Sequence, residues 1–302
     1  MSFPRVFGAA AAAALTLCFA APSFAYCLTR TCDPSTGTCE HTGICYTSGM
    51  PLFWPNSCVS FDVQQDGSKK LGISADTLDA IATKAFAQWM NADCGGGLHP
   101  SIKVMDMGPI ACAKPEYNKD QPNANVITFH DDTWEYTNTV DTLALTTVFF
   151  DGDTGEIYDA NIEINSNQYD FADGDMGGAA LDLNAVLTHE AGHFLGLSHT
   201  DLATATMFGS YNEDMTTLEQ DDEDGICASL PPARTTASDS CTPRHGFSGD
   251  CGSPSKGCCS TAVGSTGSSN QTLALLAFGF GFCAWRGRKR LKPSARRTAL
   301  PR

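Results

Sequence analysis

The chain has 302 residues, with 34 Asp and Glu against 19 Lys and Arg, and a formal net charge of −15. Eight of the basic residues follow residue 285 and one is Arg5, so the acidic segment between them carries a formal charge of about −24. Such a surface excludes nucleic acid as an expected partner, because it would repel the phosphate backbone. The length suffices for one domain of ordinary size with additional segments.

The N-terminus is typical of a secretory signal peptide. Arg5 precedes an apolar, alanine-rich run, and small residues suit cleavage after Ala25, so residues 1–25 are assigned to this signal. Twelve of the fourteen cysteines lie between residues 26 and 260. An exported chain with so many cysteines indicates an oxidising compartment and disulfides, whose pairing the sequence leaves open.

Residues 26–50 form a short cysteine-rich segment, with Cys27, Cys32, Cys39 and Cys45 separated mainly by small and turn-forming residues. This composition predicts a small cap held together by disulfides rather than by an apolar core.

A strand and a helix are expected next. Apolar and polar residues alternate over 59–64, the period of a half-buried strand. Ser74 can cap a helix. The apolar residues of this helix recur at helical spacing and predict that one face of it is buried. This face comprises Leu78, Ile81, Ala82, Ala85, Phe86 and Trp89. Two further apolar runs, 102–105 and 126–129, are expected to be strands.

Residues 143–150 and 156–165 are predicted to be two strands joined by a short loop. Asp151, Asp153 and Asp159 cluster in this region. Their carboxylates suit either a Ca²⁺ ion, which prefers oxygen ligands, or a solvated turn.

The most specific motif of the chain reads H-E-x-x-H-x-x-G-x-x-H and begins at His189. It falls on an expected helix over 181–195 with Asp182 as its N-cap. On a helix, His189 and His193 lie one turn apart on the same face and can bind one metal ion. Glu190 can then reach a metal-bound water without being a ligand.

Gly196 can end this helix, because glycine accepts the left-handed conformation that a sharp exit needs. The following turn can bring His199 to the same metal. Three neutral imidazoles and one water form a catalytic zinc site with an open position. A zinc-stabilised surface binding or adhesion protein is the alternative, but a closed structural site needs a fourth protein ligand.

The elongated motif resembles the zinc signature of the metzincin metallopeptidases. Residues 205–211 are similar to the methionine turn of the matrixin branch, which reads A-L-M-Y-P-x-Y. Met207 and Tyr211 match that turn, whereas Phe208 and Gly209 depart from it.

The resemblance covers residues 51–230 and implies an α+β, metzincin-like fold. Such a fold has a twisted, mostly parallel sheet of about five strands and three helices, with zinc in the cleft between sub-domains. The last helix is expected to begin near Thr216 or Thr217, because Thr216 and Glu219 fit a capping box. Substrate would pair with an edge strand of the sheet, which the sequence does not identify.

The resemblance implies a zinc endopeptidase that acts on protein or peptide substrates. The chain is expected to be a monomer. One Zn²⁺ would activate a water, with Glu190 as general base. Met207 would form a floor beneath the ligands, and Tyr211 a wall of the specificity pocket. Because many matrixins carry structural Ca²⁺, the resemblance also leaves open a bound Ca²⁺ ion in this chain.

Many matrixins are kept inactive by a pro-segment whose free cysteine thiol binds the zinc. The P-R-C-G-x-P-D motif of those segments is absent here. Residues 26–50 are therefore interpreted as the disulfide-stapled cap, with a latent thiol segment as the alternative.

Composition changes at residue 231. Residues 231–271 are rich in Ser, Thr, Gly and Pro and are interpreted as a linker, within which Cys241 and Cys251 are expected to pair.

Residues 272–302 combine an apolar run with a basic end. Together with Cys258 and Cys259, they resemble the C-terminal sorting tails of exported myxobacterial proteins. This resemblance implies processing at one of the two cysteines and an extracellular or cell-surface location on a bacterium. A permanent membrane anchor is the alternative, although the apolar run is short for a spanning helix.

Overall fold

A computed structural model describes residues 25–35, 37–136, 142–174, 180–212, 215–250 and 294–301. The predicted signal peptide up to residue 24, the apolar run of the tail, and Cys258 and Cys259 lie outside these residues. No helix in the described ranges is long and apolar enough to cross a membrane.

The described chain contains twelve strands and three helices. The strands are β1 (Cys27–Leu28), β2 (His41–Thr42), β3 (Cys45–Tyr46), β4 (Cys58–Gln64), β5 (Lys103–Ile110), β6 (Val126–Phe129), β7 (Thr142–Phe150), β8 (Ile157–Ile164), β9 (Phe171–Ala172), β10 (Leu181–Asp182), β11 (Leu197–Ser198) and β12 (Ser294–Pro301). The helices are α1 (Ala75–Met90), α2 (Leu183–Phe194) and α3 (Gln220–Ser229).

The main sheet has the strand order β12-β7-β8-β6-β4-β5. Strands β5, β4, β6 and β8 run parallel, whereas β7 is antiparallel to β8. The C-terminal strand β12 adds to the outer edge of β7, also antiparallel. The prediction of an α+β fold with a five-stranded, mostly parallel sheet and three helices is confirmed, and β12 is an unexpected sixth strand.

Helix α1 connects two parallel strands and forms the support for α2. Ser74 caps it as predicted, accepting a hydrogen bond from the Thr77 amide at 3.1 Å. The six apolar residues predicted for its buried face are the ones that the structure buries. Phe86 packs against Phe61 of the sheet and Phe194 of α2, with both ring centroids 5.0 Å away. The zinc-motif helix is thereby fixed against the core.

Helix α3 begins later than predicted, with Glu219 rather than Thr216 at its N-terminus. The Glu219 amide donates to the Asp222 carboxylate at 2.9 Å, which completes a capping box. The residues before it belong to a turn, where the Thr217 carbonyl accepts the Thr206 hydroxyl at 3.0 Å. This long-range contact keeps the earlier residues out of the helix.

Four disulfides join described cysteines, namely Cys27–Cys45, Cys32–Cys39, Cys58–Cys241 and Cys94–Cys227. The expected Cys241–Cys251 pair is wrong, because Cys241 bonds to Cys58 at the start of β4. The first part of the predicted linker is also attached to the domain. Arg234 donates to the Trp54 and Asn56 carbonyls at 2.6 Å each.

Candidate metal centre

The structure brings the three motif histidines together. Their Nε2 atoms lie 3.1 Å apart for His189 and His193, 3.2 Å for His189 and His199, and 3.1 Å for His193 and His199. Zn–N bonds of about 2.0–2.1 Å in a tetrahedron imply nitrogen separations of roughly 3.3 Å. Among the described residues, this is the one group of three or more His, Cys, Asp or Glu side chains with such spacing.

The outer ring nitrogens fix the ligand form of two imidazoles. His189 Nδ1 lies 2.6 Å from the Thr206 carbonyl, and His193 Nδ1 lies 3.0 Å from the Leu197 carbonyl. A carbonyl only accepts, so both Nδ1 atoms carry the proton and both Nε2 atoms present lone pairs. Converging lone pairs repel one another, whereas a cation between them would turn the repulsion into ligation. The donor set therefore fits Zn²⁺.

Burial keeps these imidazoles neutral. Loss of solvation, followed by the neighbouring His199, lowers the pKa of His189 to about 3. Burial alone lowers the pKa of His199 to about 4, and burial also places the pKa of His193 well below its ordinary value. All three histidines are thus in the ligating form at neutral pH.

Helix α2 ends where the motif requires it. Asp182 accepts the Asn184 amide at 2.8 Å as the predicted N-cap. Gly196 follows the helix with φ of 100°, and a Cβ there would lie 2.8 Å from the Leu52 carbonyl oxygen. Only glycine fits this exit, which leads through β11 to His199.

Glu190 is fully buried beside the histidines. The hydroxyl of Thr146, on β7, donates to its carboxylate. This partner lies 44 residues away in sequence, and it escaped prediction because its threonine-rich segment signals only a strand. The contact places the Glu190 carboxylate next to β7, the strand whose outer side pairs with β12.

The methionine turn is attached to α3 through a buried carboxylate. Asp222 accepts the Thr206 amide at 2.7 Å and the Met207 amide at 2.9 Å. Burial raises the pKa of Asp222 despite these hydrogen bonds. The sequence alone does not reveal this link, since an acidic first turn is equally explained by the helix dipole. Met207 itself is buried beneath Gly192 of α2.

Tyr211 contacts the beginning of the motif helix. Its hydroxyl accepts the Asp182 amide at 3.0 Å, and its ring packs against the core. Its expected role as a pocket wall stays a prediction.

Asp151, Asp153 and Asp159 do not form one ligand set in the structure. Asp151 accepts the Asp153 amide at 2.9 Å and the Tyr158 hydroxyl at 2.6 Å, as part of the turn. Asp159 is fully buried within β8 and accepts from Asn161. A calcium site from these three carboxylates has no support, because the strand directs Asp159 into the interior.

The N-terminal segment is part of the centre's surroundings. Its strand β1 pairs with β11, and the Thr29 hydroxyl donates to the Leu197 carbonyl at 2.7 Å, the same carbonyl that holds His193. The alternative of a latent thiol in this segment is wrong, because its four cysteines and Cys58 are all in disulfides.

A family model described as Matrixin, of the M10 peptidases, matches residues 107–229. The match includes the three histidines, Glu190 and Met207, and it supports a matrixin-like zinc metallopeptidase. None of the curated proteins compared with the chain matches it.

Proposed function

We propose that this chain is an exported, zinc-dependent endopeptidase that hydrolyses peptide bonds in proteins or peptides. The observation that carries the proposal is the convergence of three neutral imidazoles beside Glu190, whose buried carboxylate contacts β7 of the main sheet. The Matrixin match supports the same activity. A closed structural site is disfavoured, because no fourth His, Cys, Asp or Glu joins the three histidines among the described residues.

His189, His193 and His199 would hold the Zn²⁺ ion. When bound, zinc supplies Lewis acidity to the scissile carbonyl and lowers the pKa of a coordinated water. The Thr206 and Leu197 carbonyls keep the His189 and His193 rings in their ligating orientation.

Glu190 is assigned the role of general base. Its carboxylate would accept the proton of the attacking water and then deliver it to the departing amine nitrogen. The hydrogen bond from Thr146 holds this carboxylate in one orientation, and burial excludes bulk water from it. A base held in this way loses little entropy when the reaction begins.

Strand β7 is assigned as the strand with which substrate pairs. Its outer edge carries β12 in the structure, antiparallel, with Thr298 opposite Thr146. This pairing supports an edge that accepts an extended backbone beside Glu190. A substrate would occupy the same edge, with main-chain hydrogen bonds providing affinity and side-chain pockets providing choice.

The four disulfides indicate an oxidising or extracellular environment. We propose export by the signal peptide at residues 1–25 and delivery to the cell surface directed by residues 272–302, which processing at Cys258 or Cys259 then separates from the domain.

The test is cleavage of a mixed peptide library by the secreted chain, with Glu190→Gln and the exposed-residue control Glu135→Gln beside it. We expect Glu190→Gln to lower kcat by about 10²–10⁴-fold while still binding one zinc, because only proton transfer is removed. Glu135→Gln should be unchanged. A chelator should stop cleavage and zinc should restore it. Equal turnover by Glu190→Gln would remove Glu190 from the mechanism, and cleavage that resists chelation would refute zinc catalysis.

A further inference from the structure

A second feature of the centre is a cavity of about 460 Å³ beside the third histidine. His199 forms one wall, and Phe208 of the methionine turn lines the cavity as well. Ile44 and Tyr46 of the N-terminal segment line it too. The volume is in the range of ligand pockets, about 300–1,000 Å³. Because His199 is part of its lining, the cavity borders one of the three proposed metal ligands.

The wall formed by the N-terminal segment is held in a fixed position. Ile44 lies in the turn between β2 and β3, and the next residue, Cys45, is joined to Cys27. Cys27 pairs with Ser198, the neighbour of His199, in the β1–β11 ladder. The disulfide and the ladder thus connect the turn directly to the third histidine.

Ile44 is exposed without a structural reason in the described fold. It is 51% exposed, although it is a large aliphatic residue on a strongly acidic protein. A polar residue is the more usual choice at a turn position of this kind. Across the cavity, Phe208 is half-buried. Two apolar side chains that face one opening can both lose contact with water when an apolar group enters.

The floor of the cavity is formed by a close approach of backbone to the His199 ring. A Cβ at Gly209 would lie 3.1 Å from His199 Nδ1 and 3.3 Å from its Cγ. A side chain at this position would therefore crowd the ring. Glycine at this position allows the turn after Met207 to pack against the His199 ring.

We propose that this cavity is a subsite for a bulky apolar side chain of the peptide substrate, with Ile44 and Phe208 as its walls. The inference rests on the proposed peptidase function and adds a substrate preference to it. The N-terminal segment would thereby contribute to substrate selection instead of inhibiting the enzyme. Asp201 is exposed and also lines the cavity, so a basic side chain is the competing occupant that the experiment must separate from an apolar one.

The experiment compares kcat/KM for peptides that differ only in Leu or Ala at each position flanking the cut. The enzymes are the wild-type chain, Ile44→Ala, Asp201→Asn, and the control Leu98→Ala, whose side chain is equally exposed but lies outside the cavity. We expect Ile44→Ala to lower the Leu-to-Ala ratio about tenfold at one position, because part of an apolar wall is lost. The other positions, and all positions in Leu98→Ala, should keep the wild-type ratio.

Binding of the uncut Leu peptide to Glu190→Gln, with and without Ile44→Ala, gives the same comparison without turnover, and the double variant should bind it more weakly. Wild-type cleavage with a ratio that Ile44→Ala does not change would overturn the subsite and leave the peptidase intact. A preference for Lys or Arg that disappears in Asp201→Asn would also overturn it. Failure of the wild-type chain to cleave any peptide would instead refute the proposed function, and the subsite with it.

Discussion

The position of Gly192 within the metal-binding motif yields the sharpest structural prediction. Gly192 lies on α2 between Glu190 and His193, facing the core. A Cβ built on it would lie 2.7 Å from Cζ2 and 3.1 Å from Cη2 of Trp89, and closer still to the Met207 sulfur. Gly192→Ala therefore adds one methyl group where the floor of the metal centre meets the helix.

Two opposing effects determine how much Gly192→Ala changes the free energy of unfolding. Alanine stabilises a helix interior by about 1 kcal/mol relative to glycine. Overpacking a core typically costs about 1–3 kcal/mol. Met207 can adjust its flexible side chain, but Trp89 is fully buried and its Nε1 donates to the Thr188 carbonyl at 2.8 Å. We therefore expect the cost of overpacking to lie at the upper end of its range. After the gain in helix stability is subtracted, the net loss of stability should be about 2 kcal/mol.

The assay is thermal or urea unfolding of the metal-free chain, followed by zinc titration. A loss of about 2 kcal/mol corresponds to a fall in Tm of roughly 4–8 °C for a domain of this size. Displacement of α2 should also weaken zinc binding, since His189 and His193 flank the added methyl group. Gly152→Ala is the matched control, because a Cβ there meets nothing within 4 Å.

An equal or higher Tm for Gly192→Ala, with zinc affinity unchanged, would refute this reasoning. It would mean that Trp89 and Met207 do not form a rigid floor beneath the motif helix.

Three further predictions concern stability and access. Asp222→Asn should lower the free energy of unfolding, measured by urea denaturation, by about 2 kcal/mol or more. The reason is that one amide oxygen cannot accept the three backbone N–H groups that the carboxylate accepts. An unchanged urea midpoint would contradict this prediction. Burial, and secondarily the charge of Asp106, raises the pKa of Asp62 from 3.8 to about 8. As pH rises, the Asp62 carboxyl therefore loses its proton in the unfolded chain before it does so in the folded chain. The free energy of unfolding should consequently fall as pH rises from about 4 to 8. Asp62→Asn should flatten this fall, and an unaltered slope would contradict the assignment. In the unprocessed chain, removing residues 272–302 should lower KM for peptides, because β12 no longer occupies the outer side of β7. An unchanged KM would show that β12 does not compete with substrate.

Local sequence patterns predicted the elements that depend on local physics. The buried face of α1 follows from helical periodicity, and its cap follows from the chemistry of Ser74. The three histidines were predictable because two share a helix face and Gly196 marks the exit. Each of these inferences uses residues within about three helical turns of one another.

Contacts between distant segments could not be predicted in the same way. The bond from Thr146 to Glu190 spans 44 residues, and the disulfide between Cys58 and Cys241 spans 183. Asp222 appears in the sequence as an ordinary acidic residue at a helix start, yet it fixes the methionine turn. Strand β12 can pair only with a strand that lacks a neighbour on one side, and which strand this is depends on the strand order of the whole sheet.

The central claim is a zinc ion held by three imidazoles with one position left for water. Zinc K-edge X-ray absorption on the stoichiometrically loaded, secreted chain tests it most directly. We predict three imidazole nitrogens and one water oxygen at about 2.0–2.1 Å. A sulfur ligand, a fourth imidazole or a protein carboxylate in the remaining position would contradict the account.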